Sequence, residues 1–216
     1  MSARRILGAL GVALFLGGMA LAAGEALKPI SLPKPQMEGG KPLMRVLRDR
    51  QTSRSFSPEK LSQQLLSNLL WAADGVNRPD GKRTAPSTVN WQEIDVYVAT
   101  SSGLYLYDAN SNALQPVLEK DIRAATGKQP FVKEAPVSLV FVADYAKMGD
   151  ISDADKMMYS AADTGFISQN VYLFCASEGL ATGVRGLIDR DELAQAMKLR
   201  PDQKIVLAQG VGYPKK

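Results

Sequence analysis

An α+β fold is expected for this chain, with a central, mostly antiparallel mixed sheet flanked by helices. Three observations point to it. Strand-length stretches that alternate or run apolar lie at 94–99, 103–107, 113–118, 137–143 and 204–211. Helix-period stretches fall between some of them, without the strict alternation of a doubly wound parallel sheet. One helical stretch, from Ser152 to Glu178, is about twice the mean helix length of roughly 11 residues.

The first 26 residues stand apart. Met1 to Arg5 is a short basic region, and Ile6 to Leu21 is an uncharged apolar run. Small residues around Ala20–Ala22 and Gly24–Ala26 offer cleavage positions. This is the pattern of a secretory signal peptide, cleaved near residues 22–26. The rival is an uncleaved anchor, but the run is short of the roughly 20 apolar residues a spanning helix needs. Export to the periplasm or the outside is therefore expected, without stable membrane insertion. Cleavage leaves 190 residues, enough for one domain with a sizeable core. Residues 27–41 carry Pro29, Pro33 and Pro35 and read as an extended arm, and residues 42–216 as the folded domain.

The domain opens with a helix from Pro42 to about Gln51, apolar through Leu43, Met44, Val46 and Leu47. Ser57–Pro58 is an N-cap followed by proline at the first helical position, and Leu61 to Leu70 recur at helical spacing up to Gly75. Residues 77–88 form a polar loop, either a disordered tip or a functional loop on a rigid scaffold. Ile94–Ala99, Gly103–Tyr107 and Ala113–Leu118 follow as hairpin-linked strands, then a short helix over 119–125 ending at Gly127. Val137–Ala143 is almost wholly apolar, the mark of a strand buried on both faces. Leu180–Ile188 is a glycine-broken strand or loop, Asp189–Met197 a helix, and Lys204–Val211 the last buried strand.

The long helix is framed by capping signals. Ser152 precedes Asp155 by three residues, as in a capping box, and Gly179 suits the left-handed position past its end. Ala161, Gly165 and Ser168 would let another backbone come close. The helix is either a central core helix or one that crosses its own copy in a dimer.

Composition excludes several chemistries. There is no histidine, so no histidine-based triad, and a zinc site is not expected. The one cysteine, Cys175, lies in the apolar half of the long helix and reads as a core residue. The net charge of +4 falls to +3 without Arg4, Arg5 and Glu25, and no basic stretch interleaved with aromatics points to nucleic acid. Chemistry must come mainly from a bound cofactor or from carboxylates.

Four stretches are more polar than packing requires. Arg50–Arg54 places two hydroxyls between two guanidiniums, a phosphate-binding composition or a solvated helix end. Pro86–Gln92 carries amides that can read the edge of a planar heterocycle, or ordinary turn chemistry. Gly183–Gly186 allows a ligand close to the backbone, or marks a bulge. Lys215–Lys216 is a basic end or a solvated tail.

Taken in order, these stretches resemble the nitroreductase family of FMN-dependent oxidoreductases, over roughly residues 43–216. The helix ends in an Arg-x-Thr-x-Arg-x-Phe pattern at Arg50, Thr52, Arg54 and Phe56. Pro86, Ser87, Asn90 and Gln92 form a Pro-Ser-x-x-Asn-x-Gln stretch before the first long strand. Gln169–Asn170 and Gly179–Leu180 match the long helix, and Gly212–Lys216 the last turn. The small size and Arg83–Ser87 look closest to the branch with peptide azoline dehydrogenases.

The resemblance implies a nitroreductase-like homodimer, with the long helix at the dimer interface and FMN bound there. Arg50, Lys215 and Lys216 would hold the phosphate, with Thr52 beside them. Arg54 would lie at the pyrimidine edge, where negative charge develops on reduction. Asn90, Ser87 and Gln92 would meet the ring edge. The backbone of Val184, Arg185 and Gly186 would face the flavin N5. No side chain need act as acid or base. Many relatives have glutamate where Arg185 stands, which changes the charge there but not the backbone. The implied activity is ping-pong hydride transfer between NAD(P)H or another reductant and a small-molecule substrate. A flavin-binding or electron-carrier protein without its own substrate is the alternative.

Overall fold

The computed structural model describes residues 27–216. The signal segment expected at 1–26 lies outside the described residues. The expected α+β arrangement is present, and it is ordered by one strand. Strand β5 (Val137–Asp144) is buried at all eight positions, as its apolar run dictates. It lies between β2 (Ile94–Thr100) and β7 (Gln203–Gly212). Beyond β2 come β3 (Gly103–Asp108), β4 (Ala113–Leu118) and the two-residue β1 (Ile30–Ser31); beyond β7 lies β6 (Ala181–Arg185). Every pairing among the described strands is antiparallel.

Alternation along β5 divides the core. Leu139 and Phe141 face α2 (Gln63–Asp74) and α3 (Asp153–Glu178), packing with Leu69, Leu70, Val171 and Cys175. Val140 and Val142 face the other way, onto Leu193 and Met197 of α4 (Arg190–Met197). Cys175 is fully buried, as expected, and burial pushes its thiol well above the usual range, so it stays unreactive.

Helix α3 keeps both expected ends. The Ser152 hydroxyl accepts from the Asp155 N–H at 3.1 Å and donates to the Asp155 carboxylate at 2.7 Å. Gly179 is left-handed at φ 72°. The stripe of small residues divides differently from expectation. Ser168 is buried and donates to Gln209 Oε1 at 2.8 Å, so it belongs to the core face. Ala161, Ala162 and Gly165 are exposed beside exposed Met157, Met158 and Phe166.

Three other elements depart from expectation for tertiary reasons. Helix α2 starts five residues later than Ser57 suggests. Ser62 is its N-cap, accepting from the Leu65 N–H at 3.2 Å. Ser57 instead donates its N–H to Tyr213 O at 2.8 Å, which ties it to the end of the chain rather than to a helix. The short helix at 119–125 shrinks to one tight turn, Arg123–Thr126, because the Asp121 carboxylate takes the Arg123 N–H and guanidinium. The arm is not free of structure: β1 pairs with β4, and Pro33 O accepts from Ser67 Oγ at 2.5 Å and Asn112 Nδ2 at 2.9 Å. Helix α1 (Leu43–Asp49) forms as expected and leaves Leu43, Met44 and Leu47 exposed. No helix among the described residues is long and apolar enough to cross a membrane.

Candidate functional site

The chain after α1 runs along the outer edge of β6. The Ser53 N–H donates to Thr182 O at 2.8 Å, and Phe56 bridges to Pro214. Gly183 makes this approach possible, since a Cβ there would sit 3.1 Å from Ser53 O and 3.3 Å from the Thr52 methyl. The stem of Arg54 lies over the same glycine, and its head is exposed.

One side chain, not anticipated from sequence, gathers three expected residues. The Tyr172 hydroxyl, on α3, accepts from the Val184 N–H at 3.0 Å and pairs with Thr52 Oγ1 at 3.0 Å. The Arg50 guanidinium stands over its ring, 5.2 Å from the centroid. Arg50, Thr52 and Val184 therefore form one cluster around Tyr172, beside a cavity of about 240 Å³ lined by Lys41, Gln51, Ser53 and Thr182. In sequence Tyr172 looks like one more large residue in an apolar run, set apart only by its hydroxyl. Tyr172→Phe should leave the Val184 N–H without its acceptor and cost about 1–2 kcal/mol. Thermal unfolding checks it: a midpoint equal to wild type would remove Tyr172 from this role.

Arg185 goes the other way. Its side chain is 5% exposed and donates to Thr126 O at 2.9 Å, Thr126 Oγ1 at 2.5 Å and Ser138 Oγ at 3.0 Å. Ser138 alternates onto the face of Val140 and Val142, so the guanidinium lies on the α4 side of the sheet, away from Tyr172. Burial lowers it to about 10, still charged at neutral pH. Gly186 is exposed where the chain leaves β6.

The second expected group is the loop before β2. Ser87 Oγ accepts from the Gln92 N–H and Ser87 O from the Asn90 N–H, both at 3.0 Å. Val89, Asn90 and Gln92 hold φ of 52°, 58° and 49°, unusual for side chains with a Cβ. Such backbone persists where its surroundings fix it, and it clusters at functional sites. Asn90 is exposed, and so is Val89 at 78%. The Gln92 amide is engaged within the chain: Oε1 accepts from Arg83 Nε at 3.1 Å, and Nε2 donates to Gly81 O at 3.1 Å and Asn90 Oδ1 at 3.2 Å. Gln92 therefore braces the loop. Arg83 also forms a buried ion pair with Asp74, at the end of α2. The polar stretch at 77–92 is thus tied down along its length.

The lysines fall elsewhere. The Lys215 N–H donates to Ser55 O at 3.3 Å, and the residue opens onto a separate cavity of about 430 Å³ with Lys60, Arg123 and Lys133. Lys216 is exposed. The loop meets α3 at Asp163, which accepts from the Thr88 N–H at 2.8 Å, and the Arg50 cluster meets it at Tyr172. Those two residues are nine apart, about 13 Å along the axis, and at 100° per residue they occupy opposite flanks of the buried face.

Comparison with known proteins agrees with this architecture. The pattern that defines the nitroreductase family matches residues 47–213. A Methanocaldococcus jannaschii protein named as a nitroreductase is 27% identical over 165 residues, covering 72% of this chain and 83% of its own. A crystal structure of a protein from Ralstonia eutropha JMP134, also named as a nitroreductase, superposes with a TM-score of 0.85 at 42% identity, covering 88% of this chain and 91% of that one. A Desulfovibrio desulfuricans structure shares the fold at a TM-score of 0.61 and 20% identity, covering 82% of this chain and 88% of that one; that protein was crystallised in complex with FMN.

Proposed function

We propose that this protein, because it belongs to the nitroreductase family, is an FMN-dependent oxidoreductase that works as a homodimer on a small-molecule substrate. The observation that carries the reading is the pair of groups on opposite flanks of α3. Guanidinium and hydroxyl donors stand on one flank, and the strained Ser87–Gln92 loop on the other. A second copy packed on the exposed stripe of Ala161, Ala162 and Gly165 would bring its loop toward the first copy's Arg50 side. The exposed Met157, Met158 and Phe166 supply apolar surface for that contact.

The donor set fits the cofactor. Arg50 offers a fork suited to phosphate, and Thr52 a hydroxyl next to it. Arg54 is an exposed cation over Gly183, where the ring would approach the β6 backbone. Asn90 offers an amide to the ring edge, and Ser87 orients the loop. When bound, FMN supplies hydride acceptance and donation at its N5. The chain's task is to hold and orient the ring and to place positive charge near its pyrimidine edge.

Export through residues 1–26 is part of the proposal, and with it an electron donor other than NAD(P)H, which is scarce outside the inner membrane. Rapid NADPH oxidation by a protein found in the cytoplasm would overturn that part. The central test is titration of the purified protein with FMN. A yellow complex is expected, and Arg50→Ala should weaken it by about ten- to a hundredfold, the loss of a charge-assisted hydrogen bond of about 1.5–3 kcal/mol. A protein that FMN cannot titrate would refute the flavin reading, and unchanged affinity would remove Arg50 from the phosphate site.

A further inference from the structure

Glu93 is the last residue before β2. Its backbone is fixed, since its carbonyl accepts from the Asp144 N–H at 2.9 Å. Its side chain is 0% exposed, neither carboxylate oxygen makes a well-formed hydrogen bond, and the nearest donor is its own backbone N–H. A buried carboxylate without partners is among the most unfavourable groups a fold can hold. The groups facing it offer little relief. From α3 comes the carboxylate of Asp163, a like charge. From the turn after β5 comes Lys147, but its ammonium already pairs with Asp95 at 2.6 Å. The neighbouring Asp144 carboxylate is taken by Arg200 at 2.8 Å.

A proton is the remaining remedy. Protonated Glu93 has an O–H to donate, and Asp163 has an oxygen to receive it. Two carboxyls in contact that share one proton behave in this way. Burial first, then the charge of Asp163, raises the Glu93 carboxyl to about 7.

Asp163 has a second duty. It accepts from the Thr88 N–H at 2.8 Å and from Thr88 Oγ1 at 3.3 Å. Thr88 is the residue before the positive-φ run at Val89, Asn90 and Gln92. The anchor of the strained loop is therefore the same carboxylate that faces Glu93.

We propose that Glu93 and Asp163 share one proton, and that this proton keeps the Ser87–Gln92 loop in the conformation that meets the flavin edge. Both are positioning residues, and the assignment of that loop to FMN rests on the proposed function. When the proton leaves, two negative charges face each other without a donor between them. Asp163 then lets go of Thr88, or Glu93 turns outward, and the loop relaxes.

The test is FMN affinity from pH 5.5 to 8.5, in wild type and in Glu93→Gln, whose amide mimics the protonated acid. Wild-type affinity should fall by about tenfold per pH unit once Glu93 ionises. Glu93→Gln should stay flat over the same range and match wild type at low pH. The phosphate's own titration near pH 6 is common to both proteins and cancels in the comparison. Amide hydrogen exchange at Thr88 in the flavin-free protein is the second arm. The ratio of wild-type to Glu93→Gln exchange should rise above pH 7, and Asp163→Ala should exchange fast at every pH. Identical pH profiles for wild type and Glu93→Gln in either arm would overturn the proposal. Absence of FMN binding would overturn the flavin reading instead, with the exchange arm still deciding the shared proton.

Discussion

Gly165→Leu should leave each protomer folded while splitting the proposed dimer and releasing the FMN proposed to bind there. Gly165 is exposed near the middle of α3, and a Cβ built on it meets nothing within 4 Å in its own chain. Within a helix, leucine is favoured over glycine by roughly 0.5–1 kcal/mol. An isolated protomer should therefore gain a little stability from the change. Across a close helix–helix contact the same side chain has no room, because small residues are what allow the backbones to approach. The two environments predict opposite outcomes, which makes the substitution decisive. Sedimentation, flavin absorbance and thermal unfolding should be measured together. The expected result is a colourless monomer that unfolds at or above the temperature of the flavin-free wild type. A flavin-bound monomer would show that the cofactor needs only one chain, and an intact yellow dimer would move the interface off this stripe.

Arg83→Met should be the most destabilising single change in the neighbourhood of the loop. Arg83 and Asp74 form an ion pair with side chains only 17% and 7% exposed. Removing one partner of such a pair leaves a buried charge alone, typically costing about 3–5 kcal/mol. The pH dependence follows from Asp74. Burial raises its carboxyl to about 7 despite the opposing pull of Arg83. Without Arg83 it rises further, so the variant takes up a proton that the unfolded chain releases near 4. Stability of the variant should thus fall as pH rises from about 4 to beyond 7. The gap from wild type should be small near pH 5, where the wild-type carboxyl also holds its proton, and largest near pH 8–9. Chemical denaturation at both pH values checks this. A constant difference would mean that the ion pair contributes little and that the lost Gln92 contact carries the effect. Asp74→Asn combined with Arg83→Met should recover part of the loss, since neither buried group is then charged.

What could be seen in the sequence was what short-range chemistry controls. Ser152, Asp155 and Gly179 set both ends of α3 because capping is settled within one turn. The apolar run of β5 could only be a strand enclosed on both faces. The order of Arg50, Thr52, Ser87 and Asn90 pointed to the family without any contact being known. What stayed hidden depended on residues far apart. Ser57–Pro58 looks as good a helix start as Ser62, and only the bond to Tyr213 disqualifies it. Tyr172 and Arg185 are ordinary letters in apolar or glycine-rich stretches. Their roles depend on which face of an element turns toward Thr52 or Thr126. Glu93 abuts a strand start, where an acidic residue is expected at the surface, and its burial follows from α3 crossing over it.

The seat of β7 also sets the timing of folding. β5 can pair with β2 as soon as it is made, but its other edge stays bare until residues 203–212 emerge from the ribosome. The segment at 53–57 waits longer still, for Thr182, Tyr213 and Pro214, across chain distances on the order of 150 residues. The sheet is therefore complete only once its last strand has been made. That suits a polypeptide that must pass unfolded through a translocation pore, the route we propose for it. The same schedule leaves the β7 edge of Val137–Ala143 unpaired meanwhile, so a chaperone that shields extended apolar segments should find its target there.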